Sequence, residues 1–451
     1  MKVILAALNA RYSHSNPALF YLREAARGLP FDVSIEIFSI NKEPQKIADE
    51  IIGKSPDAVA LSVYIWNSLH VKKIIPMIRN ALPETKIILG GPEVSYNAAD
   101  WLAELPLINF IITGAGEAAF RTLLEQNIDC AEKIIFSANP HFSRIPFPYR
   151  KEDMDLLKNR FVYYESSRGC IFKCSYCLSS NDEAVEYRNI EDVKAELDFL
   201  VSYSPRYIKF VDRTFNGKRG RAGTIWEYII DNFSNDVTCF HFEIFPELLE
   251  DDYFRILKKA RPGLIQFEAG IQSVRKDVLS SVKRFGDWDK AKVKLRRILD
   301  ETNIRLHADM LAGLPFEGMD GIEESFNEIY ALRAHYFQAG LLKLIPGTEL
   351  SARSGEFGII CSQRPPYGII ENNWLSRHEL EVFRRMALAV DVLYNSGKFA
   401  ALLSFLEYKY KSPFLMFRDI AFYMEEPGRE LKRGTAVSFM DDFIKSRGLC
   451  I

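Results

Sequence analysis

No apolar run in the sequence reaches the ~20 residues that a membrane-spanning helix needs. A surplus of charge of one sign is also missing: 58 Lys and Arg stand against 60 Asp and Glu, a formal net charge of -2. A chain without a global basic field is not expected to bind nucleic acid. There is no low-complexity tract, and 48% hydrophobic against 26% charged residues is the balance of a chain that folds. Residues 1–8 are apolar, but the run is short. Asn9, Arg11 and His14 follow at once, and no small-residue cleavage pattern follows, so the run reads as a buried strand and not as a signal peptide. Seven cysteines, an odd number without a secretion signal, exclude a disulfide framework and point to a reducing cytoplasm. No internal repeat of fixed period is present. The 451 residues leave room for two to four domains with real cores.

What is there is α/β. Over residues 1–130, short apolar runs at 3–8, 33–40, 58–64, 86–90 and 110–113 alternate with helical patterns. That alternation predicts a doubly wound, Rossmann-like parallel sheet of five strands. Residues 131–160, with Asn139-Pro140 and Ile145-Pro146-Phe147-Pro148, break the rhythm and read as a linker. A second α/β series fills residues 161–350, with strands expected at 161–166, 207–211, 237–242, 264–269, 304–311 and 338–345. Six βα units predict a partial (β/α)6 barrel whose chemistry sits at the carboxyl ends of its strands. Residues 351–451 read as a small, mostly helical C-terminal domain with an aromatic stretch over 399–423, used for packing on the barrel.

Three of the seven cysteines fall in one short segment. Cys170, Cys174 and Cys177 form C-x3-C-x2-C directly after the first strand of the second series. Thiolates are soft ligands for iron–sulfur clusters and for zinc. Structural zinc takes a fourth ligand, and the nearest candidates, His141 and Cys130, lie before or in the linker. Three thiolates on one tight loop suit a four-iron, four-sulfur cluster with one iron left open. A zinc site closed by a distant residue is the alternative.

In Arg168-Gly169-Cys170 and Cys174-Ser175-Tyr176-Cys177 the chain resembles the radical S-adenosylmethionine enzymes, and within them the large class B methyltransferase-like group with an N-terminal cobalamin-binding domain. The resemblance implies a cluster on Cys170, Cys174 and Cys177, and S-adenosylmethionine on its open iron. It places Tyr176 near the adenine. The family's Gly-Gly-Glu after the second barrel strand is replaced here by Val211-Asp212-Arg213, which leaves Asp212 as the substitute contact, a helix N-cap being the other reading. Glu243 is similar to a glutamate that meets the ribose. Phe267-Glu268-Ala269-Gly270-Ile271-Gln272-Ser273 resembles a Glu-x-Gly-x-Gln-Ser segment, which brings in Glu268 and Gln272. Ala308-Asp309-Met310-Leu311-Ala312-Gly313-Leu314-Pro315 and Leu344-Ile345-Pro346-Gly347-Thr348 also match family segments, and their Gly and Pro residues read as turn formers.

In the first domain no G-x-G-x-x-G follows the first strand, so a dinucleotide is disfavoured. The resemblance implies cobalamin on Gly90-Gly91-Pro92, on Gly114 and Gly116-Glu117, and on Ser62. The histidine motif that ligates cobalt from below is missing. Trp66 is the candidate to cover the lower corrin face, and His14 the remaining candidate ligand. The implied cofactors are a 4Fe-4S cluster, S-adenosylmethionine and cobalamin. The implied activity is methylation of an unactivated carbon through a 5'-deoxyadenosyl radical and methylcobalamin. A flavodoxin- or ferredoxin-type donor would supply electrons, and the substrate would be a small molecule or peptide. Two alternatives stand beside this one: a cobalamin-using radical enzyme that cyclises, contracts a ring or oxidises, and a non-catalytic metal- or corrinoid-binding protein. Methylthiotransferases need a further set of three cysteines upstream, and only Cys130 precedes Cys170.

Overall fold

The computed structural model describes residues 1–137, 141–182 and 184–449. Asn139-Pro140 of the expected linker, and Cys450, lie outside the described residues. The first sheet holds β1 (Lys2–Asn9), β2 (Asp32–Ser39), β3 (Ala58–Ser62), β4 (Lys86–Gly90), β5 (Phe110–Gly114) and β6 (Ile134–Ser137). All are parallel, in the order β2-β1-β3-β4-β5-β6. The order reverses at β1 and β3, and ligands of doubly wound sheets sit at such a switch point, outside the carboxyl ends. β1, β3 and β4 read as near-continuous Val, Ile, Leu and Ala because helices cover both faces, and their residues divide between two separate cores. The sixth strand is a correction to the five-strand expectation. It is short and on the edge, and its Ile134 and Phe136 are exposed, so it carries none of the burial pattern that marks the others.

The second sheet begins at β7 (Val162–Tyr164). A two-residue antiparallel ladder follows, β8 (Ser167–Arg168) with β9 (Glu186–Tyr187), and brackets the cysteine loop. Then come β10 (Tyr207–Phe210), β11 (Cys239–Ile244), β12 (Ile265–Gln272), β13 (Arg305–Ala312) and β14 (Tyr336–Leu341). The order is β14-β13-β12-β11-β10-β7, all parallel, and β14 does not pair with β7. This is the expected six-stranded partial barrel, open on one side. Its outer face is aromatic: Trp226, fully buried on the helix Arg221–Phe233, packs on Phe215, Phe242 and Phe267. The C-terminal region adds a two-stranded ladder, Ile360–Cys361 with Ile369–Glu371, and a set of helices. Phe414 and Phe417 pack edge-on against Phe326 of the barrel helix Met319–Ala331, so barrel and C-terminal region share one core. Among the described residues no helix is long and apolar enough to cross a membrane.

Polar ties fix the first domain on the barrel. Ser15 Oγ donates to the Phe161 carbonyl, and the Phe161 amide donates to that of Ser13. Arg23 clasps the Asp153 carboxylate, and Arg150 donates to Glu24. Tyr367 of the C-terminal region donates to Glu93, and Asn181, just beyond the cysteines, donates to the Tyr96 hydroxyl.

Candidate functional site

The three cysteines are brought to one place by the turn out of β8. Gly169 makes that turn at φ +96°, and a Cβ there would lie 2.4 Å from the Ala184 carbonyl oxygen, so the position admits glycine alone. Cys170, Cys174 and Cys177 then line one cavity of about 230 Å³ at the carboxyl ends of β11, β12 and β13. None is in a disulfide. Two of the sulfurs meet donors, the Phe172 amide at 3.4 Å for Cys170 and the Arg284 guanidinium at 3.8 Å for Cys174, and the Cys170 sulfur also lies 3.5 Å from the Thr214 hydroxyl. Among the described residues no three or more His, Cys, Asp or Glu converge as the ligands of a single ion would.

Arg284 is the feature that sequence reasoning missed. It donates to the Gly270 carbonyl, covers the Phe245 ring, and makes no ion pair with a carboxylate among the described residues. A guanidinium taken out of water without a carboxylate is costly unless an anion joins it. Burial holds the Cys174 thiol above its ordinary value, and Arg284 opposes that shift. A donor set of three free thiols beside a half-buried cation without an ion pair fits a negatively charged iron–sulfur cluster. No local pattern marks Arg284; it lies some 110 residues from Cys174.

The other predicted contacts divide. Tyr176, Glu243, Glu268 and Gln272 all line the cavity with the cysteines. Gln272 stands at a β-bulge with φ +71°, and its amide lies where a side chain on Gly270 would be. Burial pushes Glu243 up to about 7, with Arg213 opposing. Glu268, half-buried, is held down to about 2 against desolvation by His241, whose Nε2 is 3.0 Å from Oε2. Asp309 faces the same carboxylate; burial and then Glu268 push it well up, so the pair holds one proton. Asp309 lines the cavity too, although the sequence reading took its segment only as a turn former.

Asp212 is a correction. It is buried behind the loop and does not line the cavity. Its Oδ1 accepts from the Ser166 and Ser167 hydroxyls and its Oδ2 from the Ser166 amide, so it is neither a cofactor contact nor an N-cap but a clamp on the segment before β8. Arg213 and Thr214, its neighbours, reach the cavity instead. Burial raises Asp212 from 3.8 to about 6, against the serine hydrogen bonds. Below 3.8 this carboxyl is neutral in the folded and the unfolded chain. Between 3.8 and 6 the unfolded chain ionises first, so the group's contribution to stability falls as pH rises and is lost above 6. Denaturant unfolding at pH 4 and pH 8 should show Asp212→Asn losing less stability across that interval than the unaltered protein. An equal or larger loss in the variant counts against this assignment.

The residues singled out in the first domain also have neighbours within the protein. A Cβ on Gly91 would meet the Val63 carbonyl at 2.5 Å, and one on Gly114 that of Ser137 at 2.6 Å. These glycines serve the protein's own backbone. Glu117 is taken up by Arg168, at 2.9 Å, which ties the first domain to the start of the cysteine loop. Ser62 is buried and accepts from Asn16 at 3.0 Å. Gly90 and Pro92 flank the turn into the helix Pro92–Ser95, and Gly116 begins the helix Gly116–Glu125. His14 reaches away to the barrel, its Nδ1 2.7 Å from the Tyr163 hydroxyl. Trp66 behaves differently. Its Nε1 donates to the Leu8 carbonyl and its ring stacks on Tyr64 at 4.3 Å, yet it stays 42% exposed beyond the carboxyl ends of β1 and β3. A large aromatic anchored at its polar edge and left open at a sheet's ligand end fits a flat apolar ligand face.

Fold and site together define a protein that joins a B12-binding domain to a radical S-adenosylmethionine barrel. The sequence agrees: residues 3–124 match the B12 binding domain, 164–329 the Radical SAM superfamily, and 355–441 a protein of unknown function (DUF4080). These two domains stand in the order found in cobalamin-binding-domain-containing radical S-adenosylmethionine proteins. Among curated proteins it is 22% identical over 347 residues to the cobalamin-dependent radical SAM methyltransferase TokK of Streptomyces tokunonensis, 67% of this chain and 49% of TokK. The chain spans about half the length of the curated relatives it matches. Among solved structures it resembles in fold the radical S-adenosylmethionine methyltransferase TsrM of Kitasatospora setae, with TM-score 0.66, 17% identity, and 81% of this chain and 79% of that one covered. The cobalamin-dependent S-adenosylmethionine radical enzyme OxsB gives 0.67, 14%, 99% and 75%.

Proposed function

We propose that this protein is a cobalamin-dependent radical S-adenosylmethionine enzyme that transfers a methyl group to an unactivated carbon. The observation that carries the reading is the cavity: three free thiols of one loop and a half-buried guanidinium without an ion pair, at the carboxyl ends of a barrel to which a B12-binding domain is tied. When bound, the cluster supplies the electron for cleavage of S-adenosylmethionine and cobalamin supplies the methyl carrier. The chain's own residues hold and orient. Cys170, Cys174 and Cys177 would hold the cluster, with Arg284 balancing its charge. Glu243, Glu268 and Gln272 present acceptors and an amide to the nucleoside. Trp66 offers an apolar face without a strong donor atom to the corrin. TokK, TsrM and OxsB, by their names, are enzymes of this kind, and the first two are methyltransferases.

Product stoichiometry tests the reading. With substrate present, S-adenosylhomocysteine and 5'-deoxyadenosine should form in comparable amounts, one from methyl donation and one from radical formation. Product accumulating with 5'-deoxyadenosine alone would make the protein a non-methylating radical enzyme.

A spectroscopic prediction goes with it. Because His14 is committed to Tyr163 and Trp66 lies at the sheet's ligand end, bound cob(II)alamin should show no nitrogen superhyperfine splitting in electron paramagnetic resonance. His14→Ala should leave the spectrum unchanged. A nitrogen triplet that vanishes in His14→Ala would make His14 the ligand.

A further inference from the structure

Lumen-facing side chains of a (β/α) barrel are ordinarily bulky, branched and packed in layers. Here they are polar. Along the strands Val162, Ile208, Phe240 and Ile265 point into the core shared with the helices. Alternation turns the next residue of each strand inward. Those residues, in register across β7, β10, β11 and β12, are Tyr163, Lys209, His241 and Gln266. The row above is Glu243, Glu268, His307 and Tyr336. Every member of both rows carries a polar atom, and the lumen is open on the side where β14 and β7 fail to pair.

The acids above the lower row have partners: Glu268 in the upper row has His241, Glu243 faces Arg213, and Asp309, one row further on, shares a proton with Glu268. In the lower row His241 is paired with Glu268 on one side only, and Lys209 feels Glu243 and Glu268 without touching either. Lys209 makes no hydrogen bond or ion pair among the described residues; its ammonium lies 5.1 Å from the centroid of the Phe161 ring. His241 is 4% exposed, and its Nδ1 is buried with no partner. Its Nε2 is 3.0 Å from the Glu268 carboxylate, which leaves Nδ1 as the ring nitrogen open to a ligand. A further cation without an ion pair among the described residues, Arg213, lines the cysteine cavity. Buried or half-buried donors left unmatched cost free energy, which a ligand that accepts from them recovers.

We infer that the substrate is an anion, its carboxylate or phosphate group seated in the barrel between Lys209 Nζ and His241 Nδ1. The inference rests on the function proposed above and supplies its substrate class. Such a seat would hold the rest of the substrate toward the upper row and the cysteine cavity, with the first domain closing the open side.

The test is retention by the reconstituted full chain. Protein is equilibrated with a small-molecule extract of its source cells, washed by ultrafiltration and denatured, and the released compounds are identified by mass spectrometry, which separates carboxylates from phosphates. Lys209→Gln and Lys209→Arg run in parallel. The expected result is one or more retained anions, with retention reduced about 10-fold or more in Lys209→Gln, as loss of a charged hydrogen bond implies, and largely kept in Lys209→Arg. Retention of neutral or cationic compounds only, equal retention by Lys209→Gln, or no retained compound beyond the cofactors would overturn it. Reductive cleavage of S-adenosylmethionine without substrate is read in the same preparations. If the unaltered chain lacks it, the proposed function fails whatever is retained; if both it and Lys209→Gln cleave, a change in retention reports on the seat alone.

Discussion

Replacing any one of Cys170, Cys174 or Cys177 by Ala should abolish the reconstituted cluster and all reductive cleavage of S-adenosylmethionine, while Cys130→Ala, Cys239→Ala and Cys361→Ala leave both intact. The separation is geometric. The first three thiols line one cavity, with an amide, a hydroxyl and a guanidinium directed at their sulfurs. Cys239 lies at the start of β11, at the opposite end of the strand, where burial pushes its thiol up to about 11 and so disfavours the thiolate a metal needs. Cys130 belongs to a core of the first domain, and Cys361 to the small C-terminal ladder. Iron and sulfide content, the visible absorption of the cluster and 5'-deoxyadenosine formation are the readouts. Loss of the cluster in any of the other three variants, or its survival without one of the triad, would contradict the assignment.

The second large effect falls on the first domain. Gly91→Ala should destabilise the protein by about 3 kcal/mol, the scale of a strained left-handed backbone combined with a clash that no side chain can relieve. Gly91 has φ +111°, and the added Cβ would sit 2.5 Å from the Val63 carbonyl oxygen and 3.1 Å from the Val63 amide nitrogen, both backbone atoms of the adjoining chain. The same turn starts the helix Pro92–Ser95, from which Glu93 accepts the Tyr367 hydroxyl of the C-terminal region. Docking of the two ends of the chain should therefore loosen along with the turn. Gly90→Ala is the control: its Cβ finds only the Ile112 carbonyl, at 3.8 Å, and its cost should stay within about 1 kcal/mol. Urea unfolding of the two variants decides. Equal midpoints would mean that the turn is free to rearrange.

Much of this architecture is legible in the residues because its signals are local. Strands covered on both faces announce themselves as unbroken apolar runs, as in Ile4-Leu5-Ala6-Ala7-Leu8, where burial is complete. The cysteine spacing is a property of a single loop. The edge strand Ile134–Ser137 gave no such signal, since two of its apolar side chains face solvent. Contacts made by residues distant in sequence were the least legible. Asp212 stands where a cofactor contact was expected, but Ser166 and Ser167, some 45 residues away, use its oxygens. Glu117 looked like a ligand-binding residue until Arg168 claimed it. Arg284 and Asp309 carry no motif, and only the closure of strands and loops around one cavity brings them to the cysteines.

Anaerobic reconstitution of the full chain with iron, sulfide and cobalamin tests the central claim most directly. The account predicts about four irons per chain on the three cysteines, bound cobalamin, and 5'-deoxyadenosine released from S-adenosylmethionine under a strong reductant. Stoichiometric zinc without iron, or an iron-loaded chain that leaves S-adenosylmethionine intact, would contradict it.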